Sequence, residues 1–173
     1  MEEQQVKTGK FALNYGVLLG VISVVFGVML YTQKMHYETS TAVIVISIVI
    51  MAAITFFAVN AFKKANGGFL KISDALKVAV GLALVGTIIS LLYQYVLTHF
   101  IEPDFMDKAM EIAKPKAMAN NPNMTEEQWQ QGVEMQKGFA WIQYPVVLIM
   151  NSVIGLILGL ITGLILKKSQ PEY

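Results

Sequence analysis

Residues 66–74, NGGFLKISD, place two glycines and a lysine just ahead of an apolar helical pattern. Those are the residue types that cradle a phosphate. A phosphate loop, however, needs glycine, four residues, then Gly-Lys-Ser/Thr after a strand, and neither that spacing nor a strand is present. The same residues read as a helix stop followed by a helix start. Gly67 or Gly68 supplies the left-handed residue that ends one helix, and Ser73 caps the next with Asp74 in its first turn. Lys63, Lys64 and Lys71 around this loop are placed to meet anionic lipid headgroups, at about 1 kcal/mol per lysine. His36 and His99 stand near a methionine-rich segment holding Met106, Met110, Met118, Met124 and Met135. Imidazole and thioether are soft ligands suited to Cu(I). Methionine lining the apolar faces of interfacial helices accounts for the pattern more simply, so no metal or cofactor is expected. The acids Glu102, Asp104 and Asp107 lack a spacing that puts two of them on one substrate. No Ser/His/Asp or metal-protease pattern occurs, so no catalytic residue is assigned and no enzyme is expected. An enzyme acting on a lipid-linked substrate would need the outer acids and histidines gathered in one pocket.

The elements that carry these residues follow from the charge pattern. Of 173 residues, 55% are apolar and only 14% charged, where soluble domains carry about 25% charged residues. Four stretches contain no Asp, Glu, Lys or Arg: Phe11–Tyr31, Ala42–Phe62, Val78–Leu97 and Val146–Leu166. About 20 helical residues cross a hydrocarbon core of roughly 30 Å, and these segments are apolar all round. The expected fold is all-α and polytopic, a single domain over 1–173. Its four transmembrane helices fall at about 11–31, 42–62, 76–98 and 144–166, with a helical periplasmic insertion between the third and fourth. The first apolar run is too long for a signal-peptide core and no small-residue cleavage site follows it, so it is read as a retained span.

All thirteen cations are lysine, and there is no cysteine. Without arginine there is no rigid bidentate clamp for phosphate. With the N-terminus inside, eight lysines fall in inner segments (Lys7, Lys10, Lys63, Lys64, Lys71, Lys77, Lys167, Lys168) and five in outer ones. The positive-inside rule then puts both termini in the cytoplasm.

The outer amphipathic segment, 99–138, has internal order. Pro103 suits a first helical turn, Phe105, Ala109 and Ile112 recur at helical spacing, and that stripe ends near Pro115. Thr125 and Gln128 form a capping box for a second outer helix, which breaks at Gly138 or Pro145. Trp141 and Tyr144 sit where an outer aromatic belt is expected.

Small residues mark packing faces within the spans. Gly16, Gly20 and Gly27 line one side of the first, and Gly155, Gly159 and Gly163 form a double GxxxG in the fourth. Those faces serve packing inside the bundle or a membrane-protein partner or homo-oligomer. Membrane lipid is the other expected partner, and nucleic acid is not expected. Asn14, Asn60, Gln94 and Asn151 are candidate lining for a polar cavity, but no ionisable side chain lies mid-membrane to drive proton-coupled transport.

Three blocks carry a resemblance: NYGVLLGVISVVFGVMLY (14–31), NGGFLKISDALKVA (66–79) and FIEPDFMDK (100–108). With the glycine-rich fourth span, they make the chain resemble a Bacteroidota membrane-protein family known as domain of unknown function 4199. Members often carry an aromatic at Ile72 and a glycine at Ala79. The resemblance implies a four-helix inner-membrane protein with no assigned activity or catalytic residue, and points to a role beside polyprenol-linked glycosyltransferases. The expected function is a non-enzymatic interaction or accessory subunit; the alternative is a small transporter or lipid-handling protein.

Overall fold

A computed structural model describes residues 6–37 and 40–168. The outermost residues of both polar tails, with Glu38 and Thr39 of the first connection, lie outside the described residues. Four long helices follow the charge-free stretches: α1 (Thr8–Thr32), α2 (Thr41–Ala65), α3 (Ile72–Val96) and, after two shorter ones, α6 (Gln143–Leu166). Each is long and apolar enough to cross a membrane. Between α3 and α6 stand α4 (Phe105–Asn120) and α5 (Glu126–Gly138), which form a cap. One end of the bundle carries the cap, and the opposite end carries the α2–α3 hairpin.

α3 is the axis of the bundle, and α1 and α6 pack chiefly against it on different sides. The glycine faces explain how closely. A methyl group at Gly16 would lie 2.6 Å from Val85 Cβ, one at Gly20 would lie 2.6 Å from Ile89 Cβ, and one at Gly27 would lie 2.7 Å from the Tyr93 ring. On α6, the same addition at Gly155, Gly159 and Gly163 meets Ala83, Ala79 and Ala75 at 2.7, 2.6 and 3.0 Å. Residue numbers rise together along α1 and α3 and oppositely along α3 and α6, so the first pair is parallel and the second antiparallel. Both glycine faces are therefore spent inside the bundle, where close backbone approach maximises dispersion contact in a solvent that gives no hydrophobic drive between helices.

Packing is uneven along the membrane normal. The buried core, including Ile54, Ala58, Val59, Phe62, Leu70, Ala75, Val78 and Leu82, belongs to the hairpin half. In the cap half α2 is exposed at every position from Thr41 to Val49 except half-buried Val43, so it stands off from its neighbours.

The hairpin reads as expected at its start and differently at its end. Gly67 and Gly68 have φ of 66° and 85°, and the Gly68 N–H bonds the Lys63 carbonyl at 2.9 Å, closing α2 with a left-handed turn. Ser73 does not cap α3. The helix begins at Ile72, ahead of the expected 76, and Lys71 precedes it without a side-chain cap. The cause is tertiary: Leu70 and Lys168 exchange backbone hydrogen bonds of 2.9 and 3.2 Å, which hold residue 70 extended and fix where the helix turns in. Asp74 does lie in the first turn.

At the cap, the Thr125–Gln128 capping box forms in both directions. α4 passes through Pro115 to Asn120 instead of ending there, the proline costing one backbone donor on an exposed helix. The break before α6 falls at Gly138, followed by a tight turn at Ala140–Ile142; Pro145 sits in the first turn of α6, where its missing N–H leaves nothing unpaired.

Candidate functional site

No residue of α4 or α5 is buried, so the cap is not held down by an apolar core of its own. Lys114–Glu126 and Lys137–Asp107 pairs join its two helices to each other. What joins it to the bundle is a polar cluster at its root. After Val96 the chain widens into a π turn, Leu97–Ile101, closed by the Glu102 N–H on the Leu97 carbonyl at 2.7 Å. Such widened turns re-aim the residues that follow. Glu102 leaves the helix there with only 7% of its surface exposed.

Burying a lone carboxylate costs several kcal/mol, so its partners decide whether it stays ionised. Glu102 has three. His36 Nε2 lies 2.9 Å from Oε2, the Tyr37 hydroxyl donates to Oε1, and Lys108 Nζ donates to Oε1 at 2.8 Å. Lys108 also pairs with Asp104 at 3.0 Å. The Lys108 hydrogen bond, then that from Tyr37, hold the Glu102 pKa down at about 2 against the opposing effect of burial, with His36 adding to the same side. The Glu102 carboxylate in turn raises the pKa of Lys108, and its bond to Tyr37 raises that of the phenol. Aromatic rings wall the cluster: His36 lies 4.9 Å from Tyr31 and 4.0 Å from Tyr37, and Tyr37 stacks on Phe105 at 5.7 Å. One clamp thus joins the α1–α2 connection, the end of α3 and the start of α4.

Because ionised Glu102 can only accept, the His36 Nε2 that faces it carries a proton, and Nδ1 lies on the other side of the ring. That Nδ1 is buried and has no hydrogen-bond partner. The cluster forms one side of a cleft of about 550 Å³, completed by Tyr31, Thr32, Lys34, Glu111 and Ile112. The aliphatic hydroxyl on its walls, Thr32, is bonded back to Met29 O at 2.8 Å.

Directly below, α1 also borders a second space. Gly27 and Leu30, one turn from Tyr31, line a cavity of about 260 Å³ between all four long helices. Its walls mix Leu19, Phe26 and Met51 with the polar Ser23, Ser47, Thr87, Ser90 and Asn151. Ser47 and Ser90 return their hydroxyl protons to their own helices, at Val43 O and Gly86 O.

The candidate residues of the sequence are distributed differently from the expectation. Asn151 lines the cavity, but Asn14, Asn60 and Gln94 do not. Asn14 is exposed on α1, on the side away from Gly16, and Asn14 and Asn60 sit near the hairpin end while Gln94 lies near the cap end. With about 1.5 Å of rise per residue, roughly 20 Å separates those levels, so the four never share one cavity. Ser23, Thr87 and Ser90 take the missing places. His36 and His99 are not neighbours in a site either: His99 stacks on Tyr95 at 4.1 Å, bonds its carbonyl, and faces a different groove with Pro103 and Trp141. Among the described residues no three His, Asp or Glu side chains are placed to hold a metal ion. Of the outer acids, Glu102 lines the cleft, Asp104 pairs with Lys108 of its wall, and Asp107 pairs with Lys137 of α5. At the hairpin end, Lys64 and Lys71 are exposed and Lys63 half-buried.

No curated protein matches this chain, and no solved structure does. The model of an uncharacterised family matches residues 14–168, nearly the whole described bundle with its cap: the chain belongs to the family described as protein of unknown function DUF4199.

Proposed function

We propose that this is a lipid-handling protein of the bacterial inner membrane, which holds an amphiphile in the cap half of its bundle. The carrying observation is the cavity where α2 stands off from α1, α3 and α6, with Ser23, Thr87, Ser90 and Asn151 set among apolar side chains. Serine, threonine and asparagine facing a space inside hydrocarbon want polar partners, while bulk acyl chains have none to give. A molecule with a polar group on an apolar body answers both. The cap lies on the periplasmic side in this reading, supported by the lysines of the hairpin and C-terminal end, and both termini are cytoplasmic.

Binding rather than conversion is favoured by the fate of the polar groups. Glu102 and Lys108 are engaged with one another, and Thr32 with its own helix. A role as an accessory subunit or homo-oligomer would have to use surfaces other than the glycine faces, which meet α3. The test is native mass spectrometry of the chain released from nanodiscs. We expect one amphiphile retained per chain and loss of it in Asn151→Leu, which removes the amide and fills the space. A chain that carries none, or a variant that carries as much as the parent, removes this reading.

A further inference from the structure

We propose that the cleft above the cavity is the headgroup site, and that the headgroup it takes is phosphoethanolamine: Lys34 meets the phosphate, while Glu111 meets the ammonium. This rests on the lipid-handling reading and names the lipid class.

The charge inventory of the cleft leads there. Four ionised side chains line it, Lys34, Lys108, Glu102 and Glu111. Lys108 is shared between Glu102 and Asp104 within the clamp, whereas Lys34 and Glu111 have no ion-pair partner among the described residues. Among the described residues, one unpaired cation and one unpaired anion on the cleft walls match a zwitterion better than a net anion. The Glu111 carboxylate accepts N–H or O–H donors as well as attracting positive charge. An ammonium supplies three such donors. A choline headgroup has no N–H at all, and a phosphoglycerol headgroup carries no cation for Glu111.

The backbone at Lys34 is the independent observation. α1 ends in the same left-handed turn as α2: Met35 N–H bonds Leu30 O at 2.9 Å, and Lys34 N–H bonds Tyr31 O at 3.0 Å. In α2 the left-handed position is held by Gly67, with φ 66°; in α1 it is held by Lys34, with φ 56°, the one non-glycine residue with positive φ among those described. A lysine there accepts a strain that glycine would avoid. Its side chain lines the cleft, which gives the strained residue a use. The depth is also suitable, since Tyr31 and Thr32 of the cleft follow Gly27 and Leu30 of the cavity on the same helix end.

The experiment is lipid competition on the full chain in nanodiscs made from equal parts phosphatidylethanolamine, phosphatidylcholine and phosphatidylglycerol with identical acyl chains. Native mass spectrometry reads the retained lipid. Phosphatidylethanolamine should be enriched about tenfold over the other two, a ratio equivalent to about 1.4 kcal/mol. Lys34→Gly and Glu111→Gln should each bring the three lipids towards parity while total lipid stays near one per chain. Lys34→Gly should at the same time raise the thermal midpoint, so loss of selectivity cannot be loss of fold. Retained enrichment in Lys34→Gly, or equal retention of the choline and ethanolamine lipids by the parent chain, overturns the headgroup assignment while leaving lipid binding standing. Absence of any retained lipid overturns the underlying reading as well. Displacement of the lipid by soluble phosphoethanolamine at comparable concentration would overturn the lipid as the source of the headgroup.

Discussion

The carboxylate of Glu102 and the imidazole of His36, 66 residues apart in the chain, meet at 2.9 Å where the cap joins the bundle. With Tyr37 and Lys108 on the other carboxylate oxygen, they make the attachment of the cap an electrostatic one. This has a pH consequence. The ordinary pKa of the glutamate is 4.5, and in the folded protein it lies at about 2. A depressed carboxylate pKa contributes stability that is fully present above the ordinary value and fades as pH falls towards the folded one. Hydrogen exchange in α4 should therefore be flat from neutral pH down to about 5, after correction for intrinsic rates, and should rise between about 4.5 and 2. Lys108 acts in the opposite sense, since its pKa is raised and its contribution goes only at strongly alkaline pH. Glu102→Gln should loosen α4 at neutral pH and abolish the acid transition. An acid transition that survives this substitution would place the titrating group elsewhere.

Glycine at the α3–α6 contact and glycine in the cap call for opposite outcomes. A methyl at Gly159 would stand 2.6 Å from Ala79 Cβ and 3.3 Å from the Ala75 carbonyl oxygen, and backbone does not yield as a side-chain end does. Gly159→Val should cost about 1–3 kcal/mol by overpacking, or more if the helices separate. Gly132, inside α5, meets nothing within 4 Å, so Gly132→Ala should gain about 0.5–1 kcal/mol of local helix stability. Unfolding of detergent-solubilised protein by a denaturing surfactant, followed by circular dichroism, measures the first. Hydrogen exchange across α5 measures the second. A neutral Gly159→Val would mean that α6 is not seated on α3 as described.

Thr55 offers a stability gain inside the membrane. It is fully buried in the tight half of the bundle, and its hydroxyl has no hydrogen-bond partner. Valine has nearly the same shape without the unpaired polar group, and removing such a group recovers part of its desolvation cost. Thr55→Val should stabilise the chain by about 1 kcal/mol in the same surfactant titration. A loss of stability would reveal that the hydroxyl has a partner, such as an internal water.

The spans were legible because freedom from charge over 20 residues is a local property, and the ends of α2 and α5 because glycine and the capping box are local too. The partner of the α6 glycine face was also written in the chain, as Ala75, Ala79 and Ala83 at four-residue spacing along α3. Register would have sorted the polar residues of α1. Asn14 lies two residues from both Ala12 and Gly16, about 200° round the helix from each, whereas Ser23 lies seven from Gly16 and shares its buried side. The cleft was not legible. His36 and Glu102 come from a connection and a helix end, where no periodicity relates one residue to another. Lys34 gives no sign in sequence of its left-handed backbone, because any residue can follow a helix. The early start of α3 depends on Lys168, nearly a hundred residues away, and no local capping rule contains it.

Orientation in the membrane follows from one labelling experiment, and the backbone decides where the probes go. Gly67 at the hairpin tip is a poor site for cysteine because its φ of 66° would strain any side chain. Lys71, exposed beside it, and Asn120, exposed at the end of α4, are better positions. The chain has no cysteine of its own, so Lys71→Cys and Asn120→Cys each report a single place. With the lysine-rich hairpin inside, a membrane-impermeant maleimide added to spheroplasts should label position 120 readily and position 71 only after the membrane is opened. Labelling of position 71 in sealed spheroplasts, with protection at 120, would invert the protein. It would turn the Glu102 cleft towards the cytoplasm, and the lipid proposed for it would then come from the inner leaflet.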